Sequence, residues 1–241
     1  MQKKALNKAS IARSHTKSNY EKWTFILLHF AIILFALWLM IFDGLNTVAN
    51  SLGQVWSFSD PIRAIVLLSV ATLYFLRHIL TLFYLLARKV SWGEVFGLIV
   101  FMALFEIGLL LIGGGTFRDN SIAFSWLDIL ALALLVIGSY LNSFSELQRK
   151  WWKQDPSNKG RVYTKGLFSH SMHINFFGDV VLFTGWALLT YNFWTFALPL
   201  FMALMFIFFH IPTLDKYLRE RYGEEFILYE ERTKKFIPFI Y

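Results

Sequence analysis

The apolar and polar positions of this chain fall into long blocks, not into the short alternations of a soluble fold. Six blocks are apolar, roughly Trp23–Phe42, Ile62–Ala87, Val95–Gly113, Ile122–Leu141, Ile174–Thr190 and Phe193–Ile211. A helix needs about 20 residues to cross the hydrocarbon core of a bilayer; five of the blocks meet that length and a sixth falls slightly short. The pattern predicts an all-α polytopic membrane bundle of about six transmembrane helices. The first run is full length and has no small-residue cleavage site, so it reads as a span and not as a cleavable signal. Only Tyr191 and Asn192 separate the last two blocks, which predicts a tight antiparallel hairpin. Beyond it, PTLDKYLRERYGEEFILYEERTKKFIPFIY spaces charges between Tyr, Phe, Leu and Ile at helical intervals, with breaks at Gly223 and Pro238. That is the pattern of two short amphipathic helices lying at the membrane surface as a cap over the hairpin. Residues 1–20 are polar and basic and read as a cytoplasmic tail, with residues 21–241 forming a single membrane domain.

Composition agrees: 56% of the residues are apolar and 19% aromatic, outside the range of ordinary soluble domains. Charge adds an orientation, because loops rich in Lys and Arg stay on the cytoplasmic side. Six such residues precede Trp23, Arg88 and Lys89 follow the second span, and six more lie between Phe144 and Met172. The intervening connections carry only Arg118. Both termini are therefore predicted to be cytoplasmic. The formal net charge of +7 follows from this bias and favours anionic lipid or an anionic ligand, and no nucleic-acid partner is expected. The lack of cysteine excludes disulfides, thiolate metal sites and cysteine nucleophiles, and no metal site is expected.

Ionisable side chains in hydrocarbon are costly unless they face the bundle interior or a wet cavity. Several stand in these spans: His29 in the first, Arg77 and His78 in the second, Glu106 in the third, Asp128 in the fourth, Asp179 in the fifth and His210 at the end of the sixth. For Glu106 and Asp128, hydrogen bonding between helices and a functional role are equally compatible with position. Tyr74, Arg77 and His78 share one helical face by i, i+3 and i, i+4 spacing.

A second constellation lies at the cytoplasmic end of the fourth span. If that helix continues, Asn142, Glu146, Lys150 and Lys153 line one face. By spacing alone the stripe is equally a solvated surface with an i, i+4 Glu–Lys pair. The turn DPSNKGRV then brings Arg161 and Lys165 to the start of GLFSHSMHINFFGDVV, where His173, Asn175 and Asp179 enter the fifth span. The basic loop and a polar helix start converge there, and a helix N-terminus also favours anions. Such groups suit an anionic, hydrogen-bond-rich cofactor entering from the cytoplasm, with the Asn142 face and the Asn175/Asp179 face as the walls of its pocket. A lipid-soluble substrate would meet its reactive end in the bilayer.

At these residues the chain resembles the steroid 5α-reductase family, including its bacterial members. The motifs are DPSNKGRV, KGLF, SMHINFFGD and the terminal FIPFIY, together with LYFLRHILTLFYLLAR upstream. The resemblance implies a membrane reductase that binds NADPH at the cytoplasmic side, in residues 142–241, and reduces a conjugated carbon–carbon double bond in a lipid. It places Asn142, Glu146, Lys150, Lys153, Asn175 and Asp179 on cofactor-contacting positions and Tyr74 on the tyrosine that polarises the substrate carbonyl. Met172 and Ile174 stand where the bacterial motif has Arg and Pro. The carboxylate the family carries in the span before Tyr74 has no counterpart, and His29, the only ionisable group buried there, is the candidate partner of Tyr74. The ending LRERYGEEFILYEERTKKFIP also resembles the isoprenylcysteine carboxyl methyltransferases, which makes S-adenosylmethionine the alternative cofactor and methyl transfer the alternative reaction. A third possibility is a non-catalytic, lipid-binding relative of the family.

Overall fold

The computed structural model describes residues 17–241, so residues 1–16 of the basic tail lie outside the described residues. Among the described residues every regular element is helical. Five helices are long and apolar enough to cross a membrane, Asn19–Ile41, Pro61–Leu85, Trp92–Gly113, Trp126–Trp152 and Phe193–Tyr222, and Ile174–Leu189 is a shorter apolar helix. The chain divides into two compact units, one of Met1–Phe124 with Leu189–Asn192, the other of Ser125–Leu188 with Phe193–Tyr241.

The first unit packs α1 (Asn19–Ile41), α3 (Pro61–Leu80) and α4 (Trp92–Gly113) together, with the short α2 (Gly44–Ser51) following α1. Local chemistry sets the helix starts. Pro61 opens α3 in the first turn, where its missing N–H costs nothing, and the Asp60 carboxylate accepts the Arg63 N–H. Ser91 and Glu94 form a capping box at the start of α4. Phe25, Leu67, Met102 and Phe105 are buried between the helices, whereas Leu73, Val100 and Leu104 are exposed. An apolar outer surface is what a bundle solvated by lipid requires. A π-helical turn, Thr81–Leu85, prolongs α3.

Arg63, to which the hydropathy pattern assigns no role, is fully buried. It donates to Asp60 at 3.1 Å and to the carbonyls of Leu189 at 3.1 Å and Ile122 at 3.0 Å. Its guanidinium also lies over the rings of Phe124 and Tyr191. Arg118 reaches the same carboxylate at 3.2 Å. Burial raises the Asp60 carboxyl, but the N–H groups of Ile122 and Arg63 and the Arg63 side chain outweigh it and hold Asp60 below the usual carboxylate range.

The second unit contains α5 (Trp126–Trp152), α6 (Ile174–Leu189), α7 (Ala197–Met205), α8 (Ile211–Tyr222) and α9 (Glu224–Arg232). The fourth span starts at Trp126 and not at Ile122, because Ser125 and Asp128 form a capping box in which Asp128 Oδ2 accepts the Ser125 N–H at 2.8 Å. Asp128 is thus a helix-start group and not a polar residue within the span. At its other end α5 runs past Leu141 to Trp152. α7 passes through a π-helical turn, Phe206–His210, straight into α8. The last span and the first amphipathic helix are therefore one rod, where the sequence pattern predicts two elements. The widened turn accommodates Pro212, whose ring and missing N–H would break a regular helix. The break at Gly223 occurs as expected, with φ +55°.

The predicted hairpin is present. Phe176 stacks on Phe206 at 4.6 Å at one end, and the Thr195 hydroxyl donates to the Ala187 carbonyl at 3.1 Å at the other, so α6 and α7 are antiparallel. α5 and α6 approach unusually closely. A Cβ on Gly178 would stand 2.6 Å from the Asn142 nitrogen and 2.8 Å from the Gly138 oxygen, and one on Gly185 would stand 2.6 Å from the Ala131 oxygen. Small residues at a helix interface permit such contact in membranes.

Candidate functional site

The close approach of α5 and α6 builds a polar wall in the second unit. The Asn142 amide donates to the Asn175 carbonyl at 3.1 Å, and the Asn175 amide donates to Glu146 Oε1 at 3.0 Å. Arg149 binds the other Glu146 oxygen and lies over the Phe168 ring. The two faces expected to flank a pocket therefore touch directly at this level, because Gly138 and Gly178 leave no side chains to hold the helices apart. Lys150 and Asp179 continue the same two faces and are partly buried.

Lys153 ends the stripe. Although the residue as a whole is exposed, its ammonium is pulled down to about 8, by desolvation first and then by repulsion from Arg149 and Arg221, with Glu146 opposing. Several cations crowded beside one carboxylate leave positive potential that an anion would relieve.

The loop before α6 is fixed by groups distant in sequence. Gln148 Oε1 accepts the Leu167 N–H at 3.0 Å and lies against Gly166, where φ is +58° and a Cβ would meet the Gln148 amide carbon at 2.8 Å. The Tyr229 hydroxyl donates to the Phe168 carbonyl at 2.5 Å. The C-terminal segment after α9 clamps the start of α6. Met172 and His173 donate their N–H groups to the carbonyls of Lys234 and Lys235 at 2.8 and 3.0 Å, and Ser171 Oγ donates to the Phe236 carbonyl at 2.8 Å. Met172 packs with Val162, Phe226 and Tyr229, and Ile174 with Tyr163 and Phe168. The two departures from the bacterial motif are thus buried apolar contacts of the loop and cap.

Two expected cofactor residues are engaged elsewhere in this unit. His173 Nε2 pairs with Asp215 Oδ1 at 2.8 Å, both side chains buried. Arg161 pairs with Glu225 of α9 at 3.4 Å, and the neighbouring Val162 N–H donates to the same carboxylate. Asn142, Glu146 and Asn175 are brought together and Lys153 feels the Glu146 charge, whereas Arg161 and His173 serve the cap. Arg149, Gln148 and Asp215 carry functions that the sequence reading does not assign. Arg149 has a local signal, its i, i+3 relation to Glu146, but nothing near Asp215 points to a histidine 42 residues away.

The first unit holds the other predicted pair. His29 and Tyr74 are neighbours, with ring centroids 6.3 Å apart. His78 lies 4.4 Å from Tyr74 and 5.2 Å from His29, and the Arg77 guanidinium stands 4.8 Å over the Tyr74 ring. The face inferred from spacing therefore exists. His29 Nε2, however, is committed to Glu106 Oε1 at 2.8 Å. A carboxylate of α4 thus stands beside His29.

A family model described as "Protein of unknown function (DUF1295)" matches residues 94–233, which take in Glu106, the polar wall and all of α9. No curated protein matches the chain.

Proposed function

The chain belongs to the DUF1295 family, and on that premise we propose that it is a membrane-embedded, NADPH-dependent reductase of a conjugated carbon–carbon double bond in a lipid-soluble enone. The observation that carries this reading is the wall of Asn142, Asn175, Glu146 and Arg149, with the Lys153 ammonium beside it. Its donor set fits a dinucleotide. The amides and the carboxylate would hold ribose hydroxyls, and Arg149 and Lys153 would hold phosphate oxygens, Arg149 by a planar fork and Lys153 as a point charge. NADPH, when bound, supplies a hydride. Tyr74 would donate a hydrogen bond to the enone oxygen and stabilise the negative charge that develops there. His29 and His78, packed edge-on against Tyr74, restrict its ring. The resemblance of the motifs to the steroid 5α-reductases supports the same assignment, and the distribution of Lys and Arg supports cytoplasmic access for the nucleotide.

Isothermal titration of the detergent-purified chain with NADPH and with S-adenosylmethionine tests the proposal. NADPH should bind the wild type, and Asn175→Ala should weaken it by about 1–3 kcal/mol, roughly a five- to 150-fold loss of affinity. Binding of S-adenosylmethionine alone would transfer the wall to methyl-transfer chemistry. Unchanged NADPH affinity in Asn175→Ala would remove the wall from the site.

A further inference from the structure

Most buried polar atoms in folded proteins have a hydrogen-bond partner. Among the described residues of the first unit several do not, and three of those belong to one cluster: His29 Nδ1, Glu106 Oε2 and His78 Nδ1. The His29 and Glu106 side chains are 0% and 1% exposed and bonded at 2.8 Å. Phe25, Phe75 and Phe105 surround them, with ring contacts to His29, His78 or Tyr74. A helix-to-helix tie needs one neutral donor and one acceptor; two imidazoles and a carboxyl from three different helices, with three atoms left over, exceed that need.

We propose that His29 and Glu106 form a proton-binding site inside the membrane span. Proton accounting at the pair locates the added hydrogen. Unloaded, His29 carries its hydrogen on Nε2 and gives it to the Glu106 carboxylate, so Nδ1 is bare. Loaded, the pair holds one more proton, written as imidazolium with carboxylate or as neutral imidazole accepting at Nε2 from a carboxylic acid protonated on Oε1, and in both of these Nδ1 bears a hydrogen. The occupancy is therefore expressed at the atom that has no partner in the structure. The second such nitrogen, His78 Nδ1, sits on a ring 5.2 Å away. The His78 Nδ1 atom is itself buried, so this ring lines the pair.

The titratable and charged groups facing the pair are Tyr74, Arg77 and His78 from α3; His29 comes from α1 and Glu106 from α4. Arg77 stands over the Tyr74 ring on that face. The loaded pair is neutral overall, so loading leaves no uncompensated anion in hydrocarbon. In loading, one proton from water adds to the pair; no electron moves and no other bond changes. The site stands whether or not the chain is a reductase, and neither nucleotide nor enone enters its test.

The full chain with nitrogen-15-labelled histidine, in lipid nanodiscs, is followed by NMR between about pH 5 and 8, alongside infrared difference spectra of the carboxyl groups. His29→Gln identifies the His29 signals. In the wild type, His29 Nδ1 should gain its hydrogen in one step, accompanied by a change in a carboxyl band. Glu106→Gln should abolish that step within the range and Glu106→Asp should restore it, with helical content retained. A His29 Nδ1 that keeps one state throughout, or the same step in Glu106→Gln, overturns the site. Should Glu106→Gln fail to assemble, the wild-type spectra decide: a carboxyl band that changes with His29 supports the site, and a static one overturns it.

Discussion

Single residues in this chain are informative where their surroundings are unusual for their chemistry, and Lys153 is the clearest exposed example. With its ammonium drawn down to about 8, close to half of its amine is neutral and nucleophilic at that pH. The sign is fixed by the causes: desolvation and the neighbouring Arg149 and Arg221 disfavour the charged form, and a bound anion would favour it again. Pulsed acetylation with peptide mapping, run from neutral to mildly alkaline pH, should therefore modify Lys153 several-fold faster than the exposed Lys159, and NADPH should slow it. Equal rates at the two lysines would refute the crowding of cations at the wall. Much of this scale is legible in the sequence, since Asn142, Glu146, Lys150 and Lys153 follow from helical spacing. The partner of His29 is not. Glu106 stands out as a carboxyl in an apolar run, but whether it meets His29, Tyr74 or only a neighbouring helix depends on the rotation of α4 about its own axis. A helix that is apolar nearly all round gives no stripe from which to read that rotation.

At the scale of elements, the spans are legible because hydrocarbon thickness imposes a length and backbone satisfaction imposes a helix. Their ends are less so. Ile122 and Phe124 extend an apolar run past the capping pair Ser125 and Asp128, and the rod that joins α7 to α8 hides a boundary that polarity alone would draw. Nor does hydropathy report how closely two helices approach; that depends on glycines whose importance shows only when the opposing backbone is placed. Gly178→Ala would press a Cβ onto the Asn142 nitrogen and the Gly138 oxygen, backbone atoms that cannot swing aside. The expected cost is about 1–3 kcal/mol, with weakened NADPH binding because the Asn142 and Asn175 bond opens. Gly108, in the middle of α4, has no atom within 4 Å of its ideal Cβ. Gly108→Ala should accordingly stabilise by about 0.4–1 kcal/mol. Thermal unfolding of both variants in detergent measures the contrast, and a neutral Gly178→Ala would mean that α5 and α6 can separate without loss.

For the whole molecule, the decisive property is which side of the membrane each connection occupies, because it determines what the polar wall and the C-terminal cap can meet. Hydropathy is blind to direction, so the argument rests on charge. Basic side chains crowd the tail, the turn at Arg88 and Lys89, and the stretch from Arg149 to Lys165, while alternate connections hold Arg118 and no other Lys or Arg. Arg118 is itself spent on Asp60 and on the Gly113 carbonyl at 2.8 Å. It is thus a structural tie and not a determinant of orientation, which leaves the asymmetry sharper than the raw count. Retention of the Lys- and Arg-rich connections on the cytoplasmic side then predicts that Gly53 and Asn120 face away from the cytoplasm and that Lys159 and Lys234 face it. The chain has no cysteine of its own, so single cysteines at these four positions can be labelled with an impermeant thiol reagent without background. Gly53→Cys should react in intact cells, and Lys159→Cys only after the membrane is opened. The reverse pattern would place the wall on the outer side, away from the cytoplasmic pool of reduced nucleotide, and would count against the reductase assignment more heavily than the loss of any one side chain.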